Sequence, residues 1–354
     1  MSVLVTGASG FLGTALVERL LVTGEPHVRC LVRNATKVPG LLSLQAQYPN
    51  SRLECVVGNL SSPADTQRAL EGIDTIYHLA ATMRGAPATM FLDTFVASKR
   101  LLEAIAKSPV RRVVLVSSMA VYGVATVRKG SVIREDTALE THPEWRDVYS
   151  HAKCRQEELF REYQRKGNFE LVILRPGVLY GPGGSPLPTR LGIKVAGLLF
   201  HFGGSKILPL SYVHNCAEAI VVAGRSPESV GEVYNVVDDN LPTSRRYLKR
   251  YKAEVQRVHS ITLPYSAAWL LSAALERYNA YSQFQLPAIL TRYKAASLWK
   301  PFHYGNEKLK AIGWRPLVST HDALGKTFES LRAEIDREQQ PPVDVVRAAM
   351  SCRT

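Results

Sequence analysis

Residues 6–13 read Thr-Gly-Ala-Ser-Gly-Phe-Leu-Gly, a G-x-x-G-x-x-G turn. It sits directly after a short apolar strand (residues 3–6) and directly before apolar residues at helical spacing, Leu12, Leu16 and Leu20. This context limits what the chain can become. A glycine first in the motif permits a tight turn, one at the second place lets backbone approach a pyrophosphate, and the third lets helix and strand pack closely. The helix that opens behind the turn offers unsatisfied N–H groups and a positive partial charge to phosphates. Gly7, Gly10, Phe11, Leu12 and Gly13 are therefore expected to bind a dinucleotide. The second strand ends Cys30-Leu31-Val32-Arg33-Asn34. A site selective for NAD carries a carboxylate there to hold the ribose hydroxyls, whereas the planar fork of Arg33 suits a 2′-phosphate. NADP(H) is the expected cofactor, with NAD as the alternative.

Further short Val/Ile/Leu-rich segments follow at 28–32, 53–57, 75–78, 113–117 and 171–174, each separated from the next by a helix-like stretch. Continuous apolar strands alternating with helices specify a parallel sheet covered on both faces. The fold class expected is α/β, a Rossmann-type doubly wound parallel sheet with a smaller C-terminal substrate-binding lobe. Residues 1–176 would form the dinucleotide domain. The turn-rich run Gly181-Pro182-Gly183-Gly184-Ser185-Pro186 opens a substrate lobe, 177–335, in which 189–202 reads as helix and 231–237 as a strand returning to the main sheet. Residues 336–354 read as a polar tail.

Composition excludes other classes. At 354 residues, 46% hydrophobic and 21% charged, the chain can bury a large core without staples. Its five cysteines include no C-x-x-C pair, which argues against a thiolate metal site or a disulfide framework; no metal is expected. No charged n-region precedes a long apolar stretch at the N-terminus, and the apolar segment 263–275 falls short of a bilayer span. A cytoplasmic location follows as an expectation. The net charge is +13, and from residue 241 onward 18 Lys and Arg face 9 Asp and Glu, densest from Arg245 to Arg257. Such a surface attracts anions, with Arg190 and Arg292 as phosphate ligands to consider. Nucleic acid is not expected, since no recognised nucleic-acid motif accompanies the charge.

Tyr149-Ser150-His151-Ala152-Lys153 is a Y-x-x-x-K, which puts both side chains on one helix face. An ammonium beside a phenol favours the phenolate, as an acid/base for alcohol and ketone chemistry requires. Val116-Ser117-Ser118 ends the fifth strand and puts a hydroxyl at the carboxyl edge of the sheet.

Four further runs accompany these residues: Asp74-Thr75-Ile76-Tyr77-His78-Leu79-Ala80-Ala81, Ser117-Ser118-Met119-Ala120-Val121-Tyr122-Gly123, the strand end Leu174-Arg175-Pro176-Gly177 with Tyr180-Gly181-Pro182-Gly183, and Tyr212-Val213-His214-Asn215 with Ala217-Glu218-Ala219. Together they resemble the extended short-chain dehydrogenase/reductase superfamily, which holds the NAD-dependent epimerases/dehydratases and a 3β-hydroxysteroid dehydrogenase-like branch. The resemblance covers about residues 3–240. It implies that Tyr149 is the acid/base, that Lys153 tunes it and binds the nicotinamide ribose, and that Ser118 holds the reacting oxygen, with Ser117 as runner-up. It also implies cofactor contacts from Asn59, Leu60, Ala80, Ala81 and Pro176, and a homodimer paired through the helices that carry Tyr149 and residues 98–107.

Departures from the family pattern narrow the reaction. Met119 and Ala120 stand where dehydratases of this kind carry an acidic pair. Gly177 stands where nucleotide-sugar epimerases often have Asn, and Leu210-Ser211 where they often have Arg. Thr94 replaces the family's usual Asn, and Asn59 its usual Asp. The resemblance implies an NAD(P)-dependent oxidoreductase acting by hydride transfer on a secondary alcohol or ketone, steroid-like or lipophilic. The alternatives are a nucleotide-sugar epimerase working through a transient ketone, and a non-catalytic cofactor-binding sensor or scaffold. The small-molecule substrate would lie in a pocket walled by the apolar segments 193–202 and 263–275; peripheral membrane contact is a further use for them.

Overall fold

A computed structural model of the chain describes residues 2–281 and 291–339, apart from 84, 168, 186, 189 and 196. Seven strands form the central sheet: β1 (Ser2–Thr6), β2 (His27–Val32), β3 (Arg52–Val57), β4 (Thr75–His78), β5 (Arg112–Val116), β6 (Glu170–Pro176) and β7 (Val233–Val236). All pairings are parallel, in the order β7-β6-β5-β4-β1-β2-β3. The strand order reverses at β1, and the crevice between the carboxyl ends of β1 and β4 is where open α/β sheets bind ligands.

The two faces of the sheet explain why these strands read as unbroken apolar runs. Val3, Val5, Val114, Val116, Val172 and Leu174 pack on one face against α1 (Phe11–Val22) and a late helix, Val213–Arg225. Leu4, Val113, Leu115, Leu171 and Ile173 point the other way, into a core shared with α2 (Ala97–Ile105) and α3 (Val148–Arg165). Successive side chains of a strand alternate faces, so both sets must be apolar when helices cover both sides.

The segment 189–202, expected to be helical, instead forms an antiparallel hairpin. Gly192–Val195 pairs with Leu198–Phe202, and Ser260–Leu263 adds a parallel third strand. Gly197 turns the hairpin at φ +83°, a conformation that glycine adopts without steric cost. A Cβ on Gly192 would lie 2.4 Å from the Phe200 carbonyl oxygen, so the two strands are tightly apposed there.

The helix Tyr265–Tyr281 carries the apolar run predicted to wall a pocket, yet Trp269, Leu270, Leu271, Leu275 and Tyr278 are exposed on it. Among the described residues no helix is long and apolar enough to cross a membrane. The polar segment expected from residue 336 begins inside the helix Thr320–Gln339, and residues 340–354 lie outside the described set.

Candidate active site

At the carboxyl end of β1 the chain turns through Gly7 at φ +75°. A Cβ on Gly7 would sit 3.0 Å from the Ala80 nitrogen, so this turn lies directly against the segment that follows β4. The Gly10 nitrogen donates to the Gly7 carbonyl at 3.0 Å, closing the turn. Gly10 is the N-cap of α1 and supplies no side-chain cap, and the first helical turn carries no acidic residue. Nothing built into the chain competes for those N–H groups, which is the condition an anion needs to bind there. Leu12 is buried beneath the turn, while the Phe11 ring covers Gly181 and Gly184 of the glycine-rich loop. The cradle fits a dinucleotide pyrophosphate.

Arg33, one residue beyond β2, pairs with Asp93 at 2.5 Å, and Asp93 also accepts from the Thr82 hydroxyl at 3.1 Å. The carboxylate absent from the end of β2 in sequence is thus brought beside it from 60 residues away. Asn59 is exposed, and its side-chain carbonyl accepts from the Ser61 nitrogen at 3.0 Å, fixing the loop over buried Leu60. The Ala80 nitrogen lies 3.4 Å from the Thr6 hydroxyl, and Pro176 ends β6 in register with Val236.

Tyr149 stands in the first turn of α3, which Asp147 caps by accepting from the Ser150 nitrogen at 3.0 Å. Ser118, at the carboxyl end of β5, accepts from the Ala120 nitrogen at 3.1 Å and lies near enough to the Tyr149 phenol to act on its acidity. Burial pushes that phenol up from its ordinary value; the Ser118 contact opposes this, and the Asp147 charge adds to it. Ser117 does not share the site. Its hydroxyl donates to Glu157 at 2.7 Å, inside an ion pair in which Arg175 holds the same carboxylate at 2.5 Å.

Lys153, one turn after Tyr149, is 3% exposed. Its ammonium donates to the Val116 carbonyl at 2.9 Å and to the Gln156 amide oxygen at 2.8 Å. Burial pulls it down to about 7, against the opposing influence of Glu157. Burial thus makes this lysine easier to deprotonate than a solvated one. Sequence reasoning missed Gln156, Ser98 and Glu157 around it. The one available signal was spacing, since residues 156 and 157 follow Lys153 at i+3 and i+4 on one face. Thr94 is fully buried; its hydroxyl accepts from the Thr82 nitrogen at 3.1 Å and its carbonyl from the Ser98 hydroxyl at 2.5 Å.

The cationic residues weighed as phosphate ligands are differently placed. Arg292 pairs with Glu276 at 2.6 Å and lies over the Trp269 ring, while Arg190 lies beside the Tyr304 phenol. Among the described residues no group of three or more His, Cys, Asp or Glu is arranged to hold a metal ion.

The sequence profile of the NAD dependent epimerase/dehydratase family matches residues 3–236. The chain belongs to that family. Members of the epimerase/dehydratase family are nicotinamide-dependent dehydrogenases and epimerases, and the enzyme described here has their fold. Among curated relatives, the sterol-4-alpha-carboxylate 3-dehydrogenase, decarboxylating, of Bos taurus is 24% identical over 347 residues, covering 92% of this chain and 91% of the relative. The N-acetyl-alpha-D-glucosaminyl-diphospho-ditrans,octacis-undecaprenol 4-epimerase of Escherichia coli O157:H7 is 28% identical over 280 residues, covering 76% and 77%. The crystal structure of UDP-glucuronic acid 4-epimerase from Bacillus cereus in complex with NAD superposes with a TM-score of 0.70 at 22% identity, covering 94% of this chain and 99% of that one. The superposition agrees with the doubly wound parallel sheet.

Proposed function

We propose that this epimerase/dehydratase-family enzyme interconverts a secondary alcohol and a ketone on a lipophilic small molecule, with Tyr149 as proton donor and acceptor. The observation that carries the reading is the Ser118–Tyr149 contact, with Lys153 one helical turn away and the glycine turn at the same sheet edge. A bound nicotinamide supplies or accepts the hydride. Ser118 would hold the substrate oxygen beside the Tyr149 phenol, so that the proton passes between phenol and substrate oxygen over a short distance. Lys153 donates to Val116 and Gln156, which leaves one proton for the ribose of a bound cofactor.

Two features favour the redox reading over sugar chemistry. A Cβ on Gly177 would lie 2.1 Å from the Pro209 carbonyl oxygen, so this backbone admits no asparagine where nucleotide-sugar epimerases often place one. Met119 is buried and Ala120 carries no acid, so neither position supplies the acidic pair that eliminates water. The near full-length relation to a sterol dehydrogenase agrees with a lipophilic substrate. The second reading, epimerisation through a transient ketone, rests on the relation to the undecaprenol-linked sugar 4-epimerase. NADP(H) is the proposed cofactor because Arg33 follows β2 with an exposed guanidinium that suits a 2′-phosphate, although Asp93 pairs with it. Two copies paired through α2 and α3 are the proposed assembly.

The test is a screen of NADPH and NADH oxidation by the purified protein against ketosteroids, alkyl ketones and keto-sugar nucleotides, with Tyr149→Phe as control. Net cofactor consumption that falls by ~100-fold or more in the variant supports the redox reading. Sugar interconversion without net consumption supports the epimerase. Turnover unchanged in Tyr149→Phe refutes the assigned role.

A further inference from the structure

We infer that Gln156 is a positioning residue for the reaction: its amide oxygen anchors the Lys153 ammonium, and a buried chain of Ser98, His78 and Thr6 fixes which way that amide faces. The inference rests on the proposed role of Lys153 beside Tyr149 and adds a residue to it. Thr6, His78, Ser98 and Gln156 are each at most 1% exposed. They come from β1, β4, α2 and α3 and meet under the glycine turn.

The contacts agree with one orientation, the Gln156 oxygen toward Lys153 and its nitrogen toward Ser98 and His78. Ser98 has one hydroxyl proton and gives it to the Thr94 carbonyl at 2.5 Å. It must therefore accept the 2.7 Å hydrogen bond from the Gln156 nitrogen. The second proton of that nitrogen faces the His78 Nε2 at 3.2 Å. His78 Nε2 also lies 3.0 Å from the Ser98 hydroxyl; with Nε2 as the acceptor, the ring proton sits on Nδ1 facing the Thr6 hydroxyl at 2.8 Å. Burial, reinforced by the Lys153 charge, brings His78 down to about 3, so the ring is neutral and one of its two nitrogens accepts. With both N–H groups of Gln156 committed, only its oxygen is left to face Lys153 at 2.8 Å.

A neutral acceptor in this place has a chemical consequence. The titratable and charged groups that act on Lys153 are Glu157 on its own helix, His78 on β4, and Arg175 on β6 behind Glu157, while Tyr149 lies one turn earlier on the same helix. β5 offers it the Val116 carbonyl, with the hydroxyls of Ser117 and Ser118 beyond, and α2 offers the Ser98 hydroxyl. An amide at 156 holds the ammonium without adding a charge, which keeps its proton exchangeable near neutral pH.

The decisive measurement is the pH titration of the Lys153 13Cε resonance in lysine-labelled protein, assigned by its loss in Lys153→Met, without and with saturating NADH. Gln156→Glu is expected to raise the midpoint by about one unit or more, and the volume-conserving Gln156→Met to lower it by a similar amount. A purely structural residue does not move the two variants in opposite directions. Each folded variant decides separately, and a midpoint equal to the wild type's overturns the inference; loss of folding in both variants also overturns it, since Gln156 would then be part of the framework. Tyr149→Phe keeps the two readings apart. If it retains turnover, the acid/base role falls while the lysine titration stands; if it is inactive while the Gln156 variants titrate as wild type, only the role of Gln156 falls.

Discussion

Gly13 packs so closely on Gly7 that a methyl group at 13 would lie 2.0 Å from the Gly7 carbonyl oxygen and 2.8 Å from the Ala8 Cα. Both neighbours are backbone of the turn, so neither can move aside cheaply. Gly10 is looser and exposed, its Cβ position 3.2 Å from the same oxygen. Gly13→Ala is therefore expected to cost about 1–3 kcal/mol of stability and to weaken cofactor binding by ~10-fold or more. Gly10→Ala is expected to weaken binding with the thermal midpoint almost unchanged. Thermal unfolding and NADPH fluorescence titration of the two variants check this; equal stability losses would refute the packing argument.

The adjacent hydroxyls of Ser117 and Ser118 should separate stability from activity. Ser118 faces Tyr149, whereas Ser117 donates to the buried Glu157 carboxylate. Ser118→Ala is expected to reduce kcat by ~10- to 1000-fold with little change in the unfolding midpoint. Ser117→Ala removes a hydrogen bond to a buried charge and is expected to cost about 1–3 kcal/mol with kcat largely kept. Kinetics and urea unfolding on the same preparations decide, and the reverse assignment would place the reacting oxygen at Ser117.

The sheet was legible because its signals are local. Val3, Leu4 and Val5 are apolar in succession since both faces are covered, and Gly7, Gly10 and Gly13 lie within one turn. Tyr149 and Lys153 are four residues apart on one helix. The hairpin at 192–202 was misread because a continuous apolar run does not distinguish helix from strand, and Gly197 was the punctuation that did. The network of Thr6, His78, Ser98 and Gln156 had no such signal. Its members are 20 to 78 residues apart along the contacts that join them, and only the parallel topology brings them together. Asp93 beside Arg33 was hidden for the same reason.

That Arg33–Asp93 pair should govern cofactor choice. Its guanidinium is exposed and able to meet a 2′-phosphate, yet Asp93 holds it and presents a negative charge to the same region. Arg33→Ala is expected to weaken NADPH binding by ~10-fold or more while changing NADH binding little. Asp93→Asn releases the arginine and removes the repulsion, so NADPH affinity should rise by several-fold. Dissociation constants for both cofactors in both variants provide the check. Equal loss of the two cofactors in Arg33→Ala would mean that Arg33 reads no phosphate.

The lysine at the centre of the site should make the protein pay in stability for its chemistry. Lys153 is brought down by burial to about 7, whereas an unfolded chain holds the same proton up to a pH of about 10.4. Between those values the unfolded state binds the extra proton, so stability rises with pH across that window; below 7 both states hold it and the cost of the buried charge is fully expressed. Lys153→Met removes the titration, although it strips the Val116 carbonyl and the Gln156 oxygen of their donor. Its stability relative to wild type should accordingly be highest near pH 6.5 and fall on the order of 3 kcal/mol by pH 9.5. Urea unfolding of both proteins at the two pH values measures that difference directly, with other titrating groups cancelling between them. Parallel pH dependence in the two proteins would show that the Lys153 ammonium is not strained by its surroundings, and that its proton is not the exchangeable one at neutral pH.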